Sequence, residues 1–185
     1  MTHTVLVLPG WNSSGPDHWQ TWLQARHPDF ARVEQADWAT PALADWTATL
    51  EAYVARHAPV VLVAHSLACP TVAHWARAGE DRVLGALLVA PADVERPDLP
   101  AELTGFRDAP ERPLPFPTTL VASRTDPYCT FERAAHLARA WNARLVDAGD
   151  VGHLNTASGH GPWPQGETLL EEIRQAAEGP RRIGG

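Results

Sequence analysis

Short apolar runs alternate with amphipathic stretches along most of the chain, and the two differ in period. Val60-Val61-Leu62-Val63-Ala64 is apolar at every position, the pattern of an inner strand buried on both faces of a parallel sheet. Further runs predict strands near Thr4–Leu8, Arg32–Gln35, Leu84–Ala90, Thr118–Ala122 and Arg144–Asp147. Helical spacing falls between them, near Asp17–Arg26, Ala42–Arg56, Leu67–Ala78, Phe131–Trp141 and Glu167–Ala177. In the helix after Pro41, Leu43, Trp46, Leu50, Tyr53 and Val54 share one face, while Asp45, Glu51 and Arg56 mostly fall elsewhere, so one stripe packs on the sheet. The alternation predicts an α/β fold: a three-layer, doubly wound, mostly parallel sheet of about six strands with helices on both faces.

One segment departs from this rhythm. Pro91 to Pro117 holds seven of the 17 prolines and little apolar periodicity, so it reads as a loop insertion between the fourth and fifth strands. A lid over a site and a solvated surface loop are both open readings of it. A single domain over 1–178 is expected, followed by a disordered tail from Gly179 to Gly185.

Composition narrows the function. A chain of 185 residues can bury roughly 70% of the surface of its unfolded form, enough for a substantial core without staples. Cys69 and Cys129 form no paired framework and no C-x-x-C, which argues against disulfides and zinc and points to the cytoplasm. The apolar start lacks a basic flank and ends in Pro9-Gly10, as a first strand does and a signal peptide does not, and no stretch is long enough to span a membrane. With 15 basic and 22 acidic residues the formal charge is −7, and no basic patch offers a nucleic acid a footing. Eight tryptophans could line a pocket, but Trp19, Trp22, Trp46, Trp75 and Trp141 sit in helical patterns beside other apolar residues, where packing is the better reading.

The inner strand at Val60 stops on Ser66 and restarts as a helix, with Pro70 in the first turn, where its missing N–H leaves nothing unpaired. A serine on such a strand-to-helix turn has the form of a nucleophile elbow, usually G-x-S-x-G and here Ala64-His65-Ser66-Leu67-Ala68. An exposed hydroxyl is a poor nucleophile until a base takes its proton, so an acid and a histidine should follow in that order, each just beyond a strand. Asp126 lies at the first turn after Thr118–Ala122, and His153 at the turn after Arg144–Asp147. His160 competes for the role of base and Asp93 for that of acid, while Asp147 and Asp150 stand too near His153 in sequence. Asp before Pro is also a common turn former. His65 is expected to pack against the sheet.

An acyl-transfer site also needs donors waiting for the oxyanion. Leu67 N–H, at a helix start, is one candidate; the other comes from the loop after the first strand, with Trp11 N–H favoured and Asn12 second. The same loop, Gly10 to Gly15, has the G-x-x-x-x-G spacing of a phosphate loop, but Pro16-Asp17 stand where Lys and Ser or Thr are required. No G-x-G-x-x-G supports a dinucleotide site.

With these residues placed, the chain resembles the small, single-domain serine-hydrolase family of the α/β-hydrolase superfamily that includes the retinoblastoma-binding serine hydrolase and many bacterial proteins. The resemblance runs nearly end to end. It is carried by Leu8-Pro9-Gly10-Trp11 with His18-Trp19, Pro41 with Asp45-Trp46, the elbow at Ser66, and Ser123-Arg124-Thr125-Asp126-Pro127-Tyr128-Cys129 with Glu132-Arg133-Ala134. Gly152-His153-Leu154-Asn155 with Ser158-Gly159 and Gly161-Pro162-Trp163-Pro164 completes it. Ala64 and Ala68 depart from the usual glycines. The resemblance implies a compact hydrolase without a large cap, a Ser66-Asp126-His153 triad and esterase-like action on a small-molecule acyl substrate, with no metal or cofactor. A non-catalytic binding protein on a hydrolase scaffold is the alternative, motivated by the two alanines.

Overall fold

In the computed structural model, which describes residues 3–77 and 80–179, six strands form one parallel sheet. They are β1 (Thr4–Leu8), β2 (Ala31–Arg32), β3 (Val60–His65), β4 (Val83–Val89), β5 (Thr118–Ala122) and β6 (Arg144–Asp147), in the spatial order β2-β1-β3-β4-β5-β6. The helices are α1 (Trp19–Arg26), α2 (Leu43–His57), α3 (Ala68–Trp75), α4 (Phe131–Ala140) and α5 (Pro164–Glu178).

Because side chains alternate along a strand, the all-apolar runs feed two cores at once. Leu6, Leu62, Leu88 and Leu120 pack on one face with Leu50 and Val54 of α2, Val72 of α3 and Leu137 of α4. Val5, Val61, Val63, Leu87 and Val121 pack on the other with Trp19 and Leu23 of α1 and Leu170 of α5. Trp19, Trp46, Trp75 and Trp141 are buried as expected. Each also gives its indole N–H an acceptor, as burial of that group requires: Leu154 O, Asp37 O, a Glu51 carboxylate oxygen and Pro110 O.

Three boundaries differ by more than two residues from the expected ones. The second strand is Ala31–Arg32 rather than Arg32–Gln35: Val33 N–H still donates to Val7 O, but the Glu34 N–H turns away to Tyr53 Oη and ends the pairing. The last helix starts at Pro164 rather than Glu167, proline being well suited to a first turn. Helix α3 ends at Trp75, and the expected end at Ala78 lies outside the described residues, as does the tail beyond Gly179.

The proline-rich insertion is no solvated loop. It carries a 3₁₀ helix at Ala101–Phe106, and Val94, Leu103 and Phe106 form a third buried cluster with Trp46 and Leu67. His74 Nε2 meets Phe106 O at 3.0 Å and Arg112 donates to Ala76 O, fastening the segment to the end of α3. Its apolar residues are real core residues. They show no strand or α-helical period because they are scattered over bends and one short 3₁₀ helix, where Leu103 and Phe106 stand three residues apart.

Strand order places the site. From β1 the chain steps outward to β2, then crosses back to β3 and continues the other way to β6, so the loops after β1 and β3 leave the same sheet edge side by side. A crevice opens at such a switch point, outside the carboxyl ends of the strands. Leu8 pairs with Ala64, so the loop beginning at Pro9 starts beside the elbow.

Candidate active site

Ser66 follows β3 with φ 56°, in the left-handed region that a residue with a Cβ rarely occupies. Within the elbow, Ala64 to Ala68, this conformation falls on Ser66 alone, so neither alanine is asked for a glycine's backbone. Both alanines are buried in the core. The crowding expected of the turn is relieved from the neighbouring loop instead. A Cβ on Gly10 would stand 2.9 Å from both His65 O and Ser66 Cβ, and 3.3 Å from Leu67 N.

The structure brings Ser66, His153 and Asp126 together. Ser66 Oγ lies 2.9 Å from His153 Nε2, and His153 Nδ1 lies 2.8 and 3.0 Å from the Asp126 carboxylate oxygens. A carboxylate only accepts, so the Nδ1 proton faces Asp126, and in that tautomer Nε2 is the nitrogen left to accept from the serine hydroxyl. The Asp126 side chain is 2% exposed, sealed under the loop, and its Oδ1 also accepts Tyr128 N–H at 2.9 Å. Asp126 is therefore turn former and histidine partner at once. The Tyr128 ring stands edge-on to His153, 4.6 Å between centroids.

The loop after β6 presents His153 through two left-handed residues, Gly152 (φ 61°) and Leu154 (φ 48°). Gly152 also passes so close to Ser158 that a Cβ would come within 2.7 Å of it. Two bonds from distant elements hold this turn: Trp19 Nε1–H donates to Leu154 O at 2.8 Å, and His65 Nε2 meets His153 O at 2.9 Å. His65 is thus more than a packing residue. Burial and the nearby His153 and His18 push its pKa well below the ordinary value, so it is neutral, with the proton on the nitrogen that faces the carbonyl.

The competing candidates are engaged elsewhere. His160 Nδ1 is 3.1 Å from Ser158 Oγ, Asp93 pairs with Arg133 at 3.3 Å, and Asp147 pairs with Arg124. Asn12 N–H donates to Trp38 O at 3.1 Å, which removes the second oxyanion candidate. The Trp11 and Leu67 N–H groups have no protein acceptor among the described residues. Cys69 sits under the elbow as a buried filler, its thiol pushed up by burial, and Cys129 is likewise pushed up to about 12; both are free. Among the described residues no group of three or more His, Cys, Asp or Glu side chains is placed to hold a metal ion, and no helix is long and apolar enough to cross a membrane.

A cavity of about 450 Å³ opens over Ser66. Trp11 and His18 from the loop after β1 form one side, Tyr128 and Asn155 another, and Leu99 and Leu103 of the insertion a third. Sequence reasoning missed His18, Tyr128 and the insertion leucines as parts of this wall. The His18-Trp19 pair was visible, but only its tryptophan announced a role, through helical spacing.

A doubly wound parallel sheet with a strained serine at the end of β3 and an acid and a histidine beyond β5 and β6 defines the α/β-hydrolase fold. Comparison with known proteins places the chain within it. The serine hydrolase family matches residues 5–172, and the chain belongs to that family. A YdeN-like hydrolase from Pectobacterium atrosepticum SCRI1043 has a crystal structure 32% identical in sequence, superposing with a TM-score of 0.85 over 95% of this chain and 92% of that one. The ydeN gene product of Bacillus subtilis, 23% identical, shares the fold with a TM-score of 0.78 over 94% of this chain and all of its own. By sequence alone, YdeN of Bacillus subtilis (strain 168), designated a hydrolase, is 38% identical over 79 residues. That match spans 39% of this chain and 40% of the length of the curated relative.

Proposed function

We propose that the protein is a serine hydrolase of esterase type that cleaves small acyl esters through an acyl-enzyme. The observation that carries this reading is the continuous hydrogen-bonded chain from Ser66 Oγ through His153 to Asp126. His153 Nε2 takes the Ser66 proton as Oγ attacks the ester carbonyl carbon, and returns it to the departing alkoxide as the carbon–oxygen bond breaks. Water, deprotonated by the same nitrogen, then attacks the acyl-serine and releases the acid and the free hydroxyl. Asp126 keeps the imidazole in the required tautomer and balances the imidazolium charge of each transition state. Leu67 N–H, directly after the nucleophile, and Trp11 N–H are the donors for the oxyanion, and Gly10 lets the Trp11 backbone approach the elbow.

The 2.9 Å Ser66–His153 spacing favours catalysis over a binding protein on the same scaffold, since the two alanines leave the serine within reach of its base. The reaction so written calls for no cofactor. A fluorophosphonate probe is expected to label Ser66, and Ser66→Ala to abolish both labelling and hydrolysis of p-nitrophenyl acetate. Undiminished labelling and turnover in the alanine variant would show that the serine is not the nucleophile.

A further inference from the structure

His18 stands beside the Ser66–His153–Asp126 chain and takes no part in it. As the N-cap of α1, its Nδ1 accepts Gln20 N–H at 3.1 Å. A ring nitrogen that accepts is unprotonated, so the neutral ring carries its proton on Nε2. That Nε2–H has no protein acceptor among the described residues, although the residue as a whole is 5% exposed.

The ring is held firmly. It packs edge-on against His65 at 4.8 Å between centroids, and His65 lies 4.8 Å from His153, so three imidazoles run in series from the nucleophile's base. Gln20, fully buried, bonds Leu8 O, Val63 O and Ser14 Oγ and ties the start of α1 to β1 and β3. His18 also lines the cavity over Ser66.

The charge state suits a site that creates a cation. Burial lowers the His18 pKa to about 4, helped by Arg32, His153 and His160 around it, and the adjacent His65 is neutral as well. A charged His18 would oppose the imidazolium that His153 becomes in turnover; a neutral N–H can stabilise a substrate oxygen without that repulsion.

From this arrangement we infer that His18 Nε2–H donates a hydrogen bond to the substrate, so that the site selects acyl compounds carrying an uncharged oxygen acceptor next to the reacting carbonyl. The inference rests on the serine-hydrolase reading above and concerns a residue outside the proposed triad.

Three substitutions separate the donor from the cap. His18→Asn keeps an oxygen to accept Gln20 N–H but withdraws the distal donor; His18→Gln keeps an N–H at the distal reach but weakens the cap; His18→Phe removes both. With p-nitrophenyl methoxyacetate as probe and thermal melting as the control for folding, kcat/KM should fall about 3- to 10-fold in the Asn and Phe variants, the worth of one neutral hydrogen bond, while p-nitrophenyl butyrate, similar in shape but without the ether oxygen, should change little. His18→Gln should recover most of that loss despite a lower melting temperature. A kcat/KM for the methoxyacetate in His18→Phe within about twofold of the parent, or an equal fall on the butyrate, overturns the inference, judged against the usual worth of a neutral donor. Recovery by Asn and not by Gln also overturns it and assigns His18 to capping, and equal loss in all three variants does the same for a donor role. Failure of the underlying reading looks different: Ser66→Ala would then turn over like the parent, whatever the His18 variants do.

Discussion

His65, one residue before the proposed nucleophile, meets the backbone carbonyl of His153 at 2.9 Å, so the strand that carries the serine also holds the loop that carries its base. The two residues are 88 positions apart, and no intervening side chain mediates the contact. Positioning of the histidine is thereby tied to the elbow itself.

Removing that bond should separate positioning from chemistry. His65→Phe keeps a ring against His18 and His153 but leaves His153 O without its buried donor, a loss of about 1–3 kcal/mol. Melting temperature should fall and kcat should drop with little change in KM, because the turn that presents His153 loosens while the cavity keeps its shape. Unchanged kcat in the folded variant would deny His65 this role.

Gly10 and the elbow alanines should respond to very different degrees. Gly10→Ala puts a methyl 2.9 Å from His65 O and Ser66 Cβ, where the obstructing atoms belong to the strained elbow and cannot swing aside. Hydrolysis and stability should both fall. Ala64→Gly or Ala68→Gly, restoring the commoner elbow residues, should cost only about 0.5–1 kcal/mol through chain entropy and leave Ser66 labelling near that of the parent. Chemical denaturation and labelling kinetics on the three variants test this; a benign Gly10→Ala would refute it.

Acid should destabilise the fold between pH 6.5 and 4. His18 and His65 both have folded pKa values below the ordinary 6.5, so in this range the unfolded chain binds more protons than the folded one. Their contribution is complete above the unfolded value and is lost as pH falls toward the folded one. For His18, the displacement from 6.5 to about 4 is worth about 3 kcal/mol. Urea midpoints should decline steadily from pH 7 to 4, and His18→Asn should flatten part of that slope. A slope identical to the parent's would mean that His18 does not titrate as its burial implies.

Leu103, buried in the insertion's cluster and lining the cavity, should set acyl length. Leu103→Ala is expected to cost about 2–5 kcal/mol and to shift preference among p-nitrophenyl esters toward longer chains by enlarging the space over Ser66. An unaltered chain-length profile in a folded variant would place the acyl group elsewhere.

The sequence by itself determined what depends on local pattern. Apolar runs too long to face water on one side marked β1, β3, β4 and β5, and helical spacing marked the layers around them, because strand and helix periods are properties of a few consecutive residues. Ser66, Asp126 and His153 could be singled out because each lies in the turn or loop that follows a strand, and the ends of parallel strands gather at one edge.

Only the tertiary structure decided which groups are free to act. Trp11 N–H rather than Asn12 N–H is open, because Trp38 O, 26 positions further on, has taken the latter. His153 rather than His160 reaches Ser66, and Asp93 is occupied by Arg133, 40 positions away. The insertion became a cavity wall when its isolated apolar residues found Trp46 and Leu67, and His18 acquired a tautomer from one backbone N–H and a neutral state from burial. Apart from the His160–Ser158 contact and the His18 cap, these rest on partners far apart in sequence that the order of the strands gathers at one edge of the sheet, and no local pattern in the chain records which distant group a donor or acceptor will meet.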